Sequence, residues 1–249
     1  MKKILVCAVL FLLSFSSLAT VVEMNTSHGI IKVNLFDEQT PITVANFLNY
    51  IESDTYNDTV IHRSVNGFII QGGGFTYSDD FDAVMSNAPI QNEPVLSNVA
   101  GTIAMAKLSG DENSATNQWF FNLADNSANL DLQNGGFTVF GQIEQSSQAT
   151  LDSIESLVHC DSIPVVNINE DQCSEFSSVV TSANLVTIYN VSVLDDDPNS
   201  SVNLSPVSNT LIEQETVTTL TPSTSESSGG AFIWLLPAFI LVHLRRKRA

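Results

Sequence analysis

The chain has few basic residues, and most of them lie at its two ends. Its 249 residues include 9 Lys and Arg against 27 Asp and Glu, a formal net charge of −18. Between the termini only Lys32, Arg63 and Lys107 are basic, so this body carries a charge of 3 − 27 = −24. A surface of this sign repels phosphate groups. Nucleic acids and anionic lipid headgroups are therefore excluded as partners of the body.

Cysteine is also scarce, which limits the covalent and metal chemistry open to the chain. Of its 3 cysteines, Cys7 lies in an apolar N-terminal run, which leaves Cys160 and Cys173 in a stretch rich in Asp, Asn, Ser and Pro. In an oxidising compartment an isolated pair most simply forms a disulfide. Because only His159 is nearby and no further thiol exists, we expect no metal site.

Long apolar runs occur only at the two ends of the chain. Lys2 and Lys3 precede the first run, residues 4–13, and Ser17-Leu18-Ala19 supplies the small residues of a cleavage site. This order is typical of a secretory signal peptide, to which we assign residues 1–19. A retained membrane anchor is the alternative, although the run is short for a bilayer-spanning helix. We therefore expect an exported protein.

The composition changes after residue 194. Residues 195–230 are rich in Asp, Ser, Thr and Asn and contain no aromatic and no basic residue, which predicts a linker rather than a second core. Residues 231–249 hold a short apolar run and a basic end. With Gly229-Gly230, this order resembles the GlyGly-CTERM sorting signals of some Gram-negative bacteria, which implies removal of the tail and delivery to the cell surface or medium. A plain C-terminal membrane anchor is the alternative.

The body, residues 20–194, predicts a domain dominated by β-strands. Residues 21–25 and 30–36 alternate apolar and polar side chains around a Gly-containing turn, which indicates a β-hairpin. Beyond Tyr56, short strands broken by Gly, Asn, Asp and Pro about every eight to twelve residues predict a barrel or a sandwich. A last strand over residues 185–191 closes the domain near Leu194.

Two amphipathic helices accompany these strands. Thr40-Pro41 predicts a helix start, with the threonine as N-cap and the proline at the first helical position. Val44, Phe47 and Ile51 then recur at helical spacing, which predicts one apolar face. Residues 148–158 show the same periodicity and predict the second helix.

The most patterned stretch is residues 60–75, which contains Arg63, the one arginine outside the last five residues of the chain. Phe68, Ile69 and Gln71 follow it, and then three glycines. An arginine next to apolar side chains and a side-chain amide can bind a ligand that is apolar yet carries carbonyl oxygens, such as a proline-containing peptide. A donor aimed at the prolyl nitrogen would favour the twisted amide, whose rotation otherwise faces a barrier of about 18–20 kcal/mol. The alternatives are an exposed salt-bridge arginine and a phenylalanine that is simply core.

Several separated motifs resemble one known family. Residues 61–75, 101–106 and 114–122, together with Leu130-Asp131 and Val139-Phe140-Gly141, are similar to the signature of cyclophilin-type peptidyl-prolyl cis-trans isomerases, nearest to their bacterial periplasmic branch. The resemblance spans about residues 21 to 194. It implies a closed eight-stranded antiparallel barrel capped by two α-helices. It also implies an isomerase that takes proline-containing polypeptides as substrates and uses no cofactor.

The resemblance also implies roles for individual residues. Arg63 would be the catalytic guanidinium, and Gln71 would hold the substrate backbone. The apolar pocket for the proline ring would be lined by Phe68, Ile69, Phe120, Leu130 and Phe137. The groove for the preceding residues would be lined by Ala106, Lys107 and Gln118.

This sequence departs from the family pattern at several of these positions. Ile69 stands where methionine is usual, Lys107 replaces the common asparagine, and Phe137 takes the place of a histidine or tyrosine. No aromatic residue precedes Leu130 over residues 127–129, so we expect weak binding of cyclosporin.

Three functions fit these observations. The first is a monomeric isomerase that assists the folding of exported proteins in the periplasm or at the surface of a Gram-negative bacterium, touching a membrane only through its tail before processing. The second is a surface-displayed module that binds peptides on the same barrel without useful turnover. The third is an unrelated β-sandwich adhesin, which would make the motifs coincidental. Replacement of Arg63 by alanine separates the first two.

Overall fold

The computed structural model describes residues 20–194, 204 and 206–212. The predicted signal peptide, the tail at 231–249 and most of the predicted linker lie outside these residues. Within them, no helix combines the length and apolar character needed to cross a membrane.

Thirteen strands are present in the described residues, and most are short. They are β1 (Val21–Thr26), β2 (Gly29–Leu35), β3 (Thr59–Val60), β4 (Arg63–Val65), β5 (Ile69–Gly72), β6 (Phe75–Tyr77), β7 (Phe81–Ala83), β8 (Thr102–Met105), β9 (Trp119–Asn122), β10 (Val139–Ile143), β11 (Val158–Cys160), β12 (Ile163–Val165) and β13 (Thr187–Leu194). The α-helices are α1 (Pro41–Glu52), α2 (Ser127–Leu130), α3 (Gln148–Glu155) and α4 (Phe176–Val179). The predicted hairpin and the two predicted helices are confirmed, except that α3 ends before Val158, which begins β11.

Eleven of the strands form one curled antiparallel sheet, in the order β4-β5-β9-β8-β10-β2-β1-β13-β3-β6-β7. The sheet differs from the closed eight-stranded barrel that the resemblance implies. Residues 59–65 explain the difference, because this run changes partners within a few residues. Its first part, β3, pairs with β13 near one end of the sheet, and its second part, β4, pairs with β5 at the other end. The chain therefore passes within a few residues from a strand near one end of the sheet to the strand at its other end, and the ladder of pairs does not continue across this passage.

The main core is formed by one face of this sheet together with α1 and α3. Its largest fully buried side chains include Trp119, Tyr50, Tyr56, Phe47 and Phe121. Phe47 contacts the rings of Tyr56 and Phe140 at centroid distances of 5.2 and 5.0 Å. The apolar face predicted for the first helix is confirmed, since Val44, Phe47 and Ile51 are all buried.

The N-terminus of α1 is capped differently from the prediction. The hydroxyl of Thr40 donates to the carbonyl of Phe36 at 3.3 Å and makes no capping bond. Instead, the carboxylate of Glu93 accepts hydrogen bonds from the backbone N–H groups of Ile42 and Thr43 at 3.3 and 2.8 Å. A carboxylate suits this place because the first amides of a helix are unpaired and carry partial positive charge. Glu93 is remote in sequence, so local capping rules could not identify it.

The predicted disulfide between Cys160 and Cys173 is present. It lies in another apolar cluster, in which residues of β11, β12 and the segment up to Leu185 pack with Val60 of β3 and with aromatic residues of β6 and β7. The cluster therefore packs directly on one end of the main sheet, and the backbone N–H of Ser64 in β4 also donates to the carbonyl of Ser162 at 2.6 Å.

Removal of this disulfide should destabilise the protein without unfolding it. The bond joins residues 13 apart, and closing a loop of that size contributes about 3 kcal/mol by restricting the unfolded chain. We expect the Cys160→Ala/Cys173→Ala variant to lose about this much unfolding free energy in urea titrations. The unmutated protein under reducing conditions should show the same loss, and an unchanged midpoint in both would contradict the expectation.

Candidate active site

One row of side chains crosses the sheet from β4 to β8. Arg63 pairs with Gln71, Gln71 pairs with Phe120, and Phe120 pairs with Ala104. Residues directly opposite each other on neighbouring strands project to the same face of a sheet. Residues far apart in sequence, Arg63 and Phe120 among them, are therefore brought onto one face.

The next row projects to the opposite face and belongs to the main core. Ile70, Phe121 and Ile103 form it, and all three are fully buried. The alternation along β9 thus decides the roles of neighbouring aromatic residues. Phe121 packs in the core, whereas Phe120 belongs to a second apolar cluster on the face that carries Arg63.

Polar side chains hold the guanidinium of Arg63. Its Nη1 donates to Oε1 of Gln71 at 3.4 Å, and Nε2 of Gln71 donates to Oε1 of Gln118 at 2.9 Å. Arg63 is partly buried, and this burial lowers the pKa of its guanidinium from the usual value. The ion pair recorded in the described residues joins Lys32 to Glu23, so the salt-bridge alternative for Arg63 is not what the geometry shows.

The second apolar cluster contains the residues expected to form the proline pocket. Ile69, Phe120 and Leu130 are buried in it, and Phe68, Ala106 and Phe137 are partly exposed at its edge. The ring of Phe137 meets that of Phe120 edge-on, with centroids 5.7 Å apart. The cluster thus combines buried apolar side chains with partly exposed ones that a ligand can contact.

Lys107 is directed at the loop that carries Phe137. Its Nζ donates to the carbonyls of Asn134 and Gly136 at 2.8 and 2.7 Å and lies 4.9 Å from the centroid of the Phe137 ring. Burial lowers the pKa of Lys107 to about 8, while Glu112 and Asp111 act in the opposite direction. The ammonium group of Lys107 therefore stabilises this loop through its hydrogen bonds.

Two polar residues beside the site, Asp131 and Asn126, were given no role from the sequence. Asp131 is 1% exposed, and its carboxylate accepts hydrogen bonds from the hydroxyl of Ser97 and the backbone N–H of Asn98 at 2.5 and 2.7 Å. Asn126 donates from its side chain to the carbonyl of Phe68 at 2.9 Å. The sequence feature that could have indicated Asp131 is a charged residue directly after the apolar Leu130.

In the described part of the chain, no group of three or more His, Cys, Asp or Glu side chains could hold a metal ion.

His62, the neighbour of Arg63, is a buried titratable group of the site. It is 7% exposed, and its ring meets Phe75 edge-on at 4.9 Å. Burial lowers the pKa of His62 to about 4; hydrogen bonds to the Val60 backbone and the Gln118 side chain oppose this shift, and the charge of Arg63 adds to it. His62 is therefore neutral at pH 7.

We expect His62 to make the protein sensitive to acid. Between pH 6.5 and about 4 the unfolded chain binds a proton at this residue and the folded chain does not, so the unfolding free energy falls as the pH falls. The loss from this group is about 3 kcal/mol at most. Urea titrations at pH 7 and pH 4.5 should show a smaller loss for His62→Gln than for the unmutated protein. Equal losses in the two proteins would show that His62 is not the group responsible.

Comparisons with known proteins agree with this geometry. Residues 21–175 match the family model of cyclophilin-type peptidyl-prolyl cis-trans isomerases. The chain is 38% identical over 183 residues to peptidyl-prolyl cis-trans isomerase A of Dickeya dadantii, an alignment that covers 66% of this chain and 94% of that protein. It is 41% identical over 128 residues to peptidyl-prolyl cis-trans isomerase B of Escherichia coli, covering 49% and 76%.

A solved structure supports the fold. It is a cyclophilin-type peptidyl-prolyl cis-trans isomerase of Cryptosporidium parvum, crystallised in the presence of the dipeptide Ala-Pro, with a TM-score of 0.54 and 22% identity over 70% of this chain and 99% of that one. The match to the family model shows that the chain belongs to the cyclophilin-type family. It is a peptidyl-prolyl cis-trans isomerase.

Proposed function

We propose that the isomerase works through Arg63, whose guanidinium stabilises the twisted state of an X-Pro amide bound against the second apolar cluster. The observation that carries this proposal is the position of Arg63. It lies on the same face as Phe120, and Gln71 holds it by a neutral hydrogen bond rather than by a carboxylate. The guanidinium thus keeps its positive charge free for the substrate.

The chemistry follows from the electronic structure of the amide. In the planar amide the nitrogen lone pair is delocalised into the carbonyl, whereas in the twisted state it is localised on nitrogen and accepts a hydrogen bond. A donor that binds this state better than the planar one lowers the barrier. A fixed donor beside an apolar surface that excludes water is well suited to stabilising the twisted state, because it needs no reorganisation during the reaction.

The remaining residues have supporting roles in this proposal. The proline ring would occupy the apolar cluster of Phe68, Ile69, Phe120, Leu130 and Phe137, and Gln71 would hold the substrate backbone. Ala106 and Gln118 border the groove on the side of the preceding residues, where the N–H of Ala106 donates to the carbonyl of Gln118 at 2.9 Å. Lys107 contributes here through its backbone, since its side chain is bonded to the 134–136 loop.

The same proposal includes export and a role in folding exported proteins. Its support is the apolar run at residues 4–13 behind two lysines, together with the disulfide, a bond that persists in oxidising compartments. Release to the cell surface through the tail at 231–249 remains part of the proposal. Fractionation of cells that express the full chain, with mass spectrometry of its two ends, tests whether both segments are removed.

The second candidate is a peptide-binding module with little turnover, and the unusual pair of Lys107 and Phe137 favours it. Exchange NMR spectroscopy on a short Xaa-Pro peptide separates the two functions. An isomerase transfers magnetisation between the cis and trans peptide and stops doing so in Arg63→Ala. A binding module shifts the peptide signals without exchange, and it does so equally well in the variant.

A further inference from the structure

A short segment of the predicted linker is docked on the domain. The N–H of Ser97 donates to the carbonyl of Val207 at 2.8 Å, and the N–H of Asn209 donates to the carbonyl of Val95 at 2.9 Å. An antiparallel bridge joins Leu96 to Ser208 between these two bonds. Residues 206–212 of the predicted linker thus form a paired strap along residues 95–97.

The side chain of Asn209 connects this strap to the site. It is 7% exposed, and its Nδ2 donates to the backbone carbonyl of Asp131 at 2.9 Å. Its Oδ1 accepts from the N–H groups of Leu211 and Ile212 at 3.0 and 3.4 Å. The donor and the acceptor of this buried amide are therefore both used, and its donor is directed at the residue next to Leu130.

The loop that receives this bond carries two residues of the expected proline pocket. Leu130 precedes Asp131, and the N–H of Phe137 donates to the carbonyl of Leu130 at 2.8 Å. Leu204, which precedes the strap in sequence, packs against the second apolar cluster, to which Leu130 belongs and against which Phe137 also packs. The strap thus contacts the pocket loop through a hydrogen bond, and Leu204 adds apolar packing against the cluster to which Leu130 belongs.

We propose that Asn209 is a positioning residue of the isomerase: by holding the carbonyl of Asp131, it keeps Leu130 and Phe137 in the arrangement that receives the proline ring. This inference rests on the proposed role of that pocket. Without the hydrogen bond from Asn209, the 130–137 loop would still be bonded to the side chain of Lys107 and through the carboxylate of Asp131. It would lose its hydrogen bond to the strap. Substrate binding would then have to order the loop, and the cost would appear in KM.

The test uses the full chain with the variant Asn209→Asp. Aspartate keeps an oxygen for the N–H groups of Leu211 and Ile212 but replaces the amide donor by an acceptor that faces the Asp131 carbonyl. We expect KM for a short Xaa-Pro peptide to rise about 3- to 10-fold while kcat stays within about twofold. Leu204→Ala should change KM in the same direction. Thr210→Ala, which alters an exposed neighbour in the strap, is the matched control and should leave both constants unchanged.

Hydrogen exchange of the Phe137 amide supplies a second readout that does not depend on turnover. In Asn209→Asp this amide should exchange faster, while the amides of the β1–β2 hairpin keep their rates. A purely structural role would lower the active fraction and the apparent kcat and leave KM unchanged. An unchanged KM with unchanged exchange at Phe137 overturns the inference. Inactivity of the unmutated chain, or full activity of Arg63→Ala, would instead overturn the proposed function, and the exchange measurement would still decide whether Asn209 holds the loop.

Discussion

Replacement of Arg63 by alanine is expected to lower kcat/KM for an Xaa-Pro peptide by about 100- to 1000-fold, the usual effect of removing one well-placed donor to a transition state. The structure gives the reason, because Gln71 directs the guanidinium over the face that Phe120 shares. The fold should survive the change, since Arg63 is only partly buried and makes a single long side-chain hydrogen bond. A protease-coupled isomerisation assay at low temperature, with circular dichroism of both proteins, measures the two effects.

Two further variants make this test specific. Arg63→Lys keeps a positive charge but loses the planar fork of donors, so we expect it to recover only a small part of the activity. Lys32→Ala removes a cation that lies 3.8 Å from Glu23 on the hairpin, away from the site, and kcat/KM should stay within about twofold. Near-normal activity in Arg63→Ala would exclude the guanidinium as the group that lowers the barrier.

The largest effect on stability is expected at Gly73, in the run of three glycines. Its backbone has a φ of +80°, and an added Cβ would lie 2.7 Å from Nε1 of Trp119 and 2.8 Å from the carbonyl oxygen of Asn117. Neither neighbour can move easily. Trp119 is fully buried, and the Asn117 carbonyl already accepts a hydrogen bond from the hydroxyl of Tyr56 at 2.9 Å.

We therefore expect Gly73→Ala to lose about 3–4 kcal/mol of unfolding free energy, from backbone strain and overpacking together. For a domain of this size the loss lowers Tm by about 10 °C, which scanning calorimetry measures. Gly67→Ala is the matched control. Its φ is +64°, yet no atom lies within 4 Å of an added Cβ, so it should show the strain alone, about 1 kcal/mol. Equal losses at the two positions would mean that the contact with Trp119 contributes nothing.

Much of the fold follows from local sequence patterns. Alternation of apolar and polar residues predicts β1 and β2, because a strand with one buried face needs that period. The spacing of Val44, Phe47 and Ile51 predicts α1 for the corresponding reason. The separated motifs also indicate the isomerase family, since each motif can be recognised from its own residues, independently of the segments between the motifs.

Other features depend on contacts between distant parts of the chain. Glu93 caps α1 from a loop beyond β7, and Asn209 reaches Asp131 from beyond β13. The change of partners between β3 and β4 likewise depends on where β13 and β5 lie in space. No local rule contains this information, because propensities and caps describe neighbours in sequence, whereas these contacts are set by the packing of the whole domain.

The sequence by itself determined the residue types at the site, the acidic body and the single arginine between the termini. Which residues share a face was decided only by the tertiary structure. The register of β4, β5 and β9 aligns Arg63, Gln71 and Phe120, and the same register sends Phe121 into the core. The physical reason is that neighbouring side chains on a strand point to opposite faces, so a shift of one residue in pairing would exchange the core row and the row of the site.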